Sequence, residues 1–159
     1  MDSKVRASIF WFLARLFVGF VLAAAGFLKL IEPVENVTAI LAAYPVISDN
    51  AAFVLASVLP WAELIFGSFL ILGYALPYSA IGAGFLIAGF LTVLSVSRFF
   101  YGFSLEDCGC FGGGFIRLST DQTLVLDLVS FVLVIRLAFI KSWLLTVDRH
   151  VYKTQLRKE

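Results

Sequence analysis

From Tyr78 to Ser97 the chain runs for twenty residues without one charged side chain. As a helix that is about 30 Å long, the thickness of a bilayer's hydrocarbon core. Three further stretches come close to it. Ile9–Leu28 is interrupted only by Arg15, Ala51–Leu76 only by Glu63, and Leu124–Ile140 by Asp127 and Arg136. A chain of 159 residues cannot bury four such runs in a water-soluble core, but it can lay them across a membrane. Composition agrees: 14% of residues are charged and 61% hydrophobic, against roughly 25% charged in a soluble domain. The net charge of +1 argues against nucleic acid as a partner. The fold predicted is all-α: a single domain over residues 1–159, an integral membrane four-helix bundle. Its spans fall near 9–28, 51–76, 78–97 and 124–140, and a basic tail follows over 141–159.

Within the first span, Gly19, Ala23 and Gly26 make a face of small residues suited to close helix packing. Ala23-Ala24-Ala25 also resembles a signal-peptide cleavage site, but Arg15 inside the apolar region argues against that reading. Pro33 suits the first turn of a helix. Val34, Val37, Ile40 and Leu41 then trace one apolar side of a short interfacial helix over Val34–Ala43, which Tyr44-Pro45 ends. In the second span Ala56, Pro60, Glu63 and Gly67 share a face that should look into the bundle. Pro77 is expected to make the next turn, and Ala80, Gly84 and Ala88 a small-residue seam. Ser119 or Thr120 is placed to cap the fourth span.

Basic residues orient the bundle. Lys4 and Arg6 precede the first span, and Lys141, Arg149, Lys153, Arg157 and Lys158 follow the last. The two long connectors and their edges hold only Lys29, Arg98 and Arg117. The positive-inside rule puts both termini in the cytoplasm. The loop between the third and fourth spans then faces the oxidising side of a bacterial inner membrane, where disulfides persist.

That loop, Ser104 to Gly114, holds the only two cysteines, Cys108 and Cys110, and four of the twelve glycines. Cα atoms two residues apart are at most about 7 Å apart, and a disulfide wants roughly 4.4–6.8 Å. The chain must bend between them, and Gly109 bends at least cost. So small a ring should be strained, and strained disulfides are the exchangeable ones. The pair reads as redox-active, with an inert pair of structural thiols as the bland alternative. Zinc is disfavoured, because it wants four ligands and the only histidine is His150 in the tail. Glu106 and Asp107 should raise the thiol pKa, and Arg98 or Arg117 folding over the loop would offset them.

Ionisable groups inside a bilayer need partners or a task. Depths counted along the helices make Arg15–Glu63 a buried pair, with Arg136 able to share the carboxylate. The alternative is that both arginines snorkel to the cytoplasmic headgroups. Asp127 falls near the outer surface, in reach of Lys29 and of the dithiol. It is there either as proton acceptor or as an acid favoured by the start of its helix.

Three pieces then stand together: Ala24-Ala25-Gly26-Phe27-Leu28-Lys29-Leu30, Leu59-Pro60-Trp61-Ala62-Glu63-Leu64 with Gly67 and Gly73, and Cys108-Gly109-Cys110-Phe111-Gly112. With them the chain resembles the MauE branch of the DoxX-like membrane proteins, from about Arg15 to Asp127. The resemblance implies a four-helix membrane bundle serving redox maturation of exported proteins, often beside a thioredoxin-like partner. It is named for the biogenesis of methylamine dehydrogenase, but the client does not carry over. The leading expectation is a membrane thiol–disulfide relay through Cys108 and Cys110. Two cysteines on one side cannot pass electrons across a bilayer by thiols alone, so either a quinone in the bundle or shuttling between outside partners completes it. The competing expectation is a non-catalytic assembly subunit, or a small-molecule or quinone carrier using Arg15 and Glu63.

Overall fold

The computed structural model describes residues 3–103, 108–111 and 118–139. They form five helices: α1 (Ser3–Ile31), α2 (Val34–Ala42), α3 (Asp49–Leu72), α4 (Leu76–Phe100) and α5 (Thr120–Phe139). All but α2 are long and apolar enough to cross a membrane. The chain is thus an all-helical four-helix membrane bundle with one short extra helix, as its hydropathy predicts. The basic tail over 141–159 lies outside the described residues.

In lipid, an apolar side chain gains little by moving from acyl chains to a neighbouring helix. Close backbone approach and its dispersion contacts must therefore hold helices together. α1 and α3 show this directly. They run antiparallel, Gly19 against Gly67 and Ile71, and Gly26 against Pro60 and Glu63. A Cβ on Gly26 would come within 2.5 Å of the Pro60 carbonyl oxygen, and one on Gly67 equally near the Ala23 nitrogen. The face expected on the second span is indeed the buried one, Ala56, Pro60, Glu63 and Gly67 included. On α4 the buried strip is Leu76, Ala80, Ala83 and Ile87. Of the expected row, Ala80 is fully buried and Gly84 faces Val134 of α5, while Ala88 is only partly buried, since a four-residue step turns about 40° off the face each time.

The turn between α3 and α4 is also displaced from its expected place. Gly73 takes φ 69° and stops α3. The N–H groups of Gly73 and Tyr74 donate to the Leu70 and Phe69 carbonyls at 3.3 and 3.0 Å, a glycine-closed helix end. Pro77 sits instead in the first turn of α4, where its missing N–H costs nothing. At the head of α5, the Gln122 N–H donates to the Ser119 hydroxyl at 3.4 Å and the Ser119 N–H to the Gln122 side-chain oxygen at 3.2 Å. This reciprocal cap fixes where α5 begins, and so which of its residues face inward.

The bundle has two unlike halves. Around the Gly73 turn, Val18 and Leu22 of α1, Leu70 of α3, Ala83 and Ile87 of α4, and Val134 and Leu137 of α5 make one apolar core. At the opposite end α2 seats Val37 and Leu41 on Ala52 and Ala56 of α3. The buried Lys29 and Glu63 and both cysteines lie in this half.

The packing generates a test by opposite signs. Gly67→Ala should destabilise the protein by about 1–3 kcal/mol through overpacking. Gly89→Ala, with nothing within 4 Å of its new Cβ, should leave stability level or raise it by up to about 1 kcal/mol, alanine being the better helix former. Thermal unfolding in detergent reads both, and equal shifts would remove the small-residue contact as the explanation.

Candidate functional site

Lys29 lies near the end of α1 and Glu63 in the middle of α3. Their side chains meet with Nζ 2.6 Å from Oε1 and 2.8 Å from Oε2, exposed by only 4% and 2%. A lone charge at this depth costs a few kcal/mol. Bridging both carboxylate oxygens with one ammonium removes most of that cost. The expected partner, Arg15, is fourteen residues earlier on α1, about 21 Å back along the axis. It is buried in the other half, its guanidinium 5.1 Å from the Phe12 ring centre. Arg136 is exposed in the last turn of α5. Neither arginine takes the carboxylate.

The reason lies in helix length and side-chain direction. α1 continues to Ile31, so Lys29 is inside the bundle rather than in a connector. Side chains on a helix also lean toward its N-terminus, which carries the ammonium back down to Glu63. From there Lys29 Nζ is 4.8 Å from the Phe90 ring centre on α4. Asp127 of α5 is within electrostatic range of Lys29, Glu63 and Cys108. Each long helix contributes one residue to this cluster.

The dithiol is fastened directly above it. The Cys108 N–H donates to the Leu118 carbonyl at 3.0 Å, and the Tyr44 hydroxyl donates to the Cys108 carbonyl at 3.2 Å. The Cys108 sulfur lies 3.0 Å from the Thr123 hydroxyl and accepts the Cys110 N–H at 3.3 Å. Gly109 makes the expected bend, at φ 68°. It is needed twice over, because a Cβ there would fall 2.4 Å from Ile40 Cγ2. No disulfide joins the two cysteines in this structure; Cys108 is buried and Cys110 partly exposed. The Cys110 thiol is pushed well above the ordinary cysteine value, first by its side-chain hydrogen bond to Cys108, then by burial and by the charges of Cys108 and Asp127, with Lys29 opposing. Cys110 therefore keeps its proton at neutral pH.

Asp107 and Arg117, with Glu106, lie outside the described residues. Arg98 does not fold over the cysteines: its Nε is 3.0 Å from Asp121 at the start of α5, both side chains well exposed. Among the described residues no three His, Cys, Asp or Glu side chains converge to hold a metal ion. Four residues of the site were not anticipated, namely Tyr44, Ile40, Phe90 and Thr123. Only Thr123 carries a local signal, one helical turn before Asp127 on the same face.

Glu63→Gln should destabilise the bundle by about 3–5 kcal/mol, because it strands a buried ammonium. The double change Lys29→Met with Glu63→Leu should recover most of that loss, whereas Arg15→Gln and Glu63→Gln should be additive. Unfolding cycles in detergent decide it; coupling to Arg15 equal to that with Lys29 would contradict the pairing.

The family model described as Methylamine utilisation protein MauE matches residues 7–143. No curated protein and no solved structure matches the chain. The matched region takes in nearly all of the four long helices, the Lys29–Glu63 pair and both cysteines. On that match the chain belongs to the MauE family, and it is a multi-pass membrane protein.

Proposed function

We propose that this is a thiol–disulfide redox protein of the bacterial inner membrane. Its termini are cytoplasmic and it exchanges electrons through Cys108 and Cys110 on the outer side with a thioredoxin-like partner during maturation of exported proteins. The observation that carries this is the inequality of the two sulfurs. Cys110 is the accessible one, while Cys108 is buried, accepts the Cys110 N–H and lies within hydrogen-bond distance of the Thr123 hydroxyl. Hydrogen bonds to a sulfur favour its anion, and a stabilised thiolate is the better leaving group. A partner thiolate would attack Cys110 of the oxidised pair, forming a mixed disulfide and releasing Cys108 as thiolate. The partner's second thiol would then attack its own bridged sulfur and free Cys110. Two electrons pass from the partner's dithiol to the pair, and the reverse order oxidises nothing but the pair.

The basic residues at the two ends of the chain support the orientation, and the Gly26 and Glu63 segments support its place in the wider DoxX-like group. The reading of a non-catalytic assembly subunit keeps the bundle but assigns no task to unequal thiols.

Two measurements test the proposal. Cys108→Ser, which leaves Cys110 with no resolving sulfur, should accumulate mixed disulfides with extracytoplasmic proteins at least tenfold over Cys110→Ser. Equal trapping by the two would refute the assigned roles, and no trapping by either would refute the relay. In intact cells, after reduction, a membrane-impermeant maleimide should modify Cys110. Modification only after the membrane is opened would reverse the orientation.

A further inference from the structure

Beside the dithiol lies a cavity of about 200 Å³. Its walls are mostly apolar residues of α2, α3 and α4, and its polar lining is Lys29 and Tyr44 together with Cys108, Gly109 and Cys110. Two of its wall residues, Leu55 on α3 and Phe85 on α4, are also 37% and 77% exposed on the outer surface of the bundle. The mouth therefore opens between α3 and α4 toward the acyl chains, in the half of the bundle that carries the cysteines. An apolar cavity of about 150 Å³ takes a benzene ring, so this one takes a six-membered ring with small substituents. It has no space for a folded lipid with its headgroup. At Gly89 the wall is open, with nothing within 4 Å of where a Cβ would stand.

We infer that this cavity is the binding site of a lipid-soluble quinone, which enters between α3 and α4 and takes its electrons from the Cys108–Cys110 dithiol. The inference rests on the redox reading above and completes it. Both sulfurs are on one side of the membrane, and a carrier dissolved in the bilayer removes the electrons that they collect. The step balances: two S–H bonds break, one S–S bond forms, and the two electrons and two protons convert the quinone to its hydroquinone. Lys29 is the positioning group. Of its three ammonium hydrogens, two go to Glu63, which leaves one for a quinone carbonyl oxygen, where negative charge builds as electrons arrive. Phe90, already against the ammonium, offers its ring to the quinone's face. A polyisoprenoid tail leaves through the mouth past Leu55 and Phe85.

The test uses the full chain, reduced, in lipid nanodiscs, with ubiquinone-1 as oxidant in one arm and glutathione disulfide in the other. Thiol alkylation reads the pair in both, and quinone absorbance reads the first. Ubiquinone-1 should oxidise the wild-type pair with one quinone reduced per disulfide formed, and Gly89→Phe, which fills the open wall, should raise the quinone concentration for half-maximal rate at least tenfold. Oxidation by glutathione disulfide without oxidation by the quinone would overturn the inference and leave the relay standing. Failure of both oxidants would take down the relay and the inference with it. An azido-quinone, photolysed on the wild-type protein, supplies a readout that does not depend on how Gly89→Phe folds. Label on Leu55, Leu59 or Phe90 sustains the site, whereas label confined to other surfaces, or an unchanged quinone dependence in folded Gly89→Phe, refutes it.

Discussion

One ammonium shared between two carboxylate oxygens, nearly sealed from solvent, governs how this bundle is put together. A charge left alone at that depth costs more than most single contacts can return, so Lys29 and Glu63 must arrive together. This fixes the register of α1 against α3, and the glycines at 19, 26 and 67 let the two backbones come close enough for the pair to form. It also fixes what surrounds the pair. Phe90 and Asp127 crowd the same point from α4 and α5, so four helices are aligned on one centre that carries charge rather than hydrocarbon.

That centre divides the protein into an apolar half and a half that carries the cysteines. The end near Gly73 is packed like any apolar core, Leu70 and Val134 at its middle. At the other end α2 packs on α3 through Val37 and Leu41 and lines one side of the cavity. The cysteine loop is suspended there between two helices, Tyr44 at the end of α2 holding its carbonyl and Thr123 of α5 holding its sulfur.

Much of this was legible in the chain, for physical reasons. A bilayer demands unbroken apolar stretches, so all four crossings stand out as runs, and the inward side of α3 shows itself through a proline, an acid and small residues at helical spacing. The bend at Gly109 follows from sulfur geometry alone. The turn after α3 was misplaced because glycine and proline both mark ends, and only the backbone shows that Gly73 stops one helix while Pro77 starts the next. The partner of Glu63 was misassigned because Lys29 follows Leu28, the apparent end of the apolar run. A helix that continues three residues further draws it inside. Tyr44 could be read as the residue before a proline and no more, since its hydroxyl meets Cys108, 64 positions along the chain, only once the intervening helices have folded.

Gly109 has a mechanical consequence. Any side chain there would run into Ile40, while the backbone of Cys108 is held at its nitrogen by Leu118 and at its oxygen by Tyr44. The peptide here has almost no freedom to travel. Closing or opening a ring between the sulfurs is left to the two χ1 torsions, motions that run in picoseconds to nanoseconds in exposed side chains. On the proposed relay, such a loop would work as a fixed electrode, gaining and losing electrons without signalling the change to the helices that carry it.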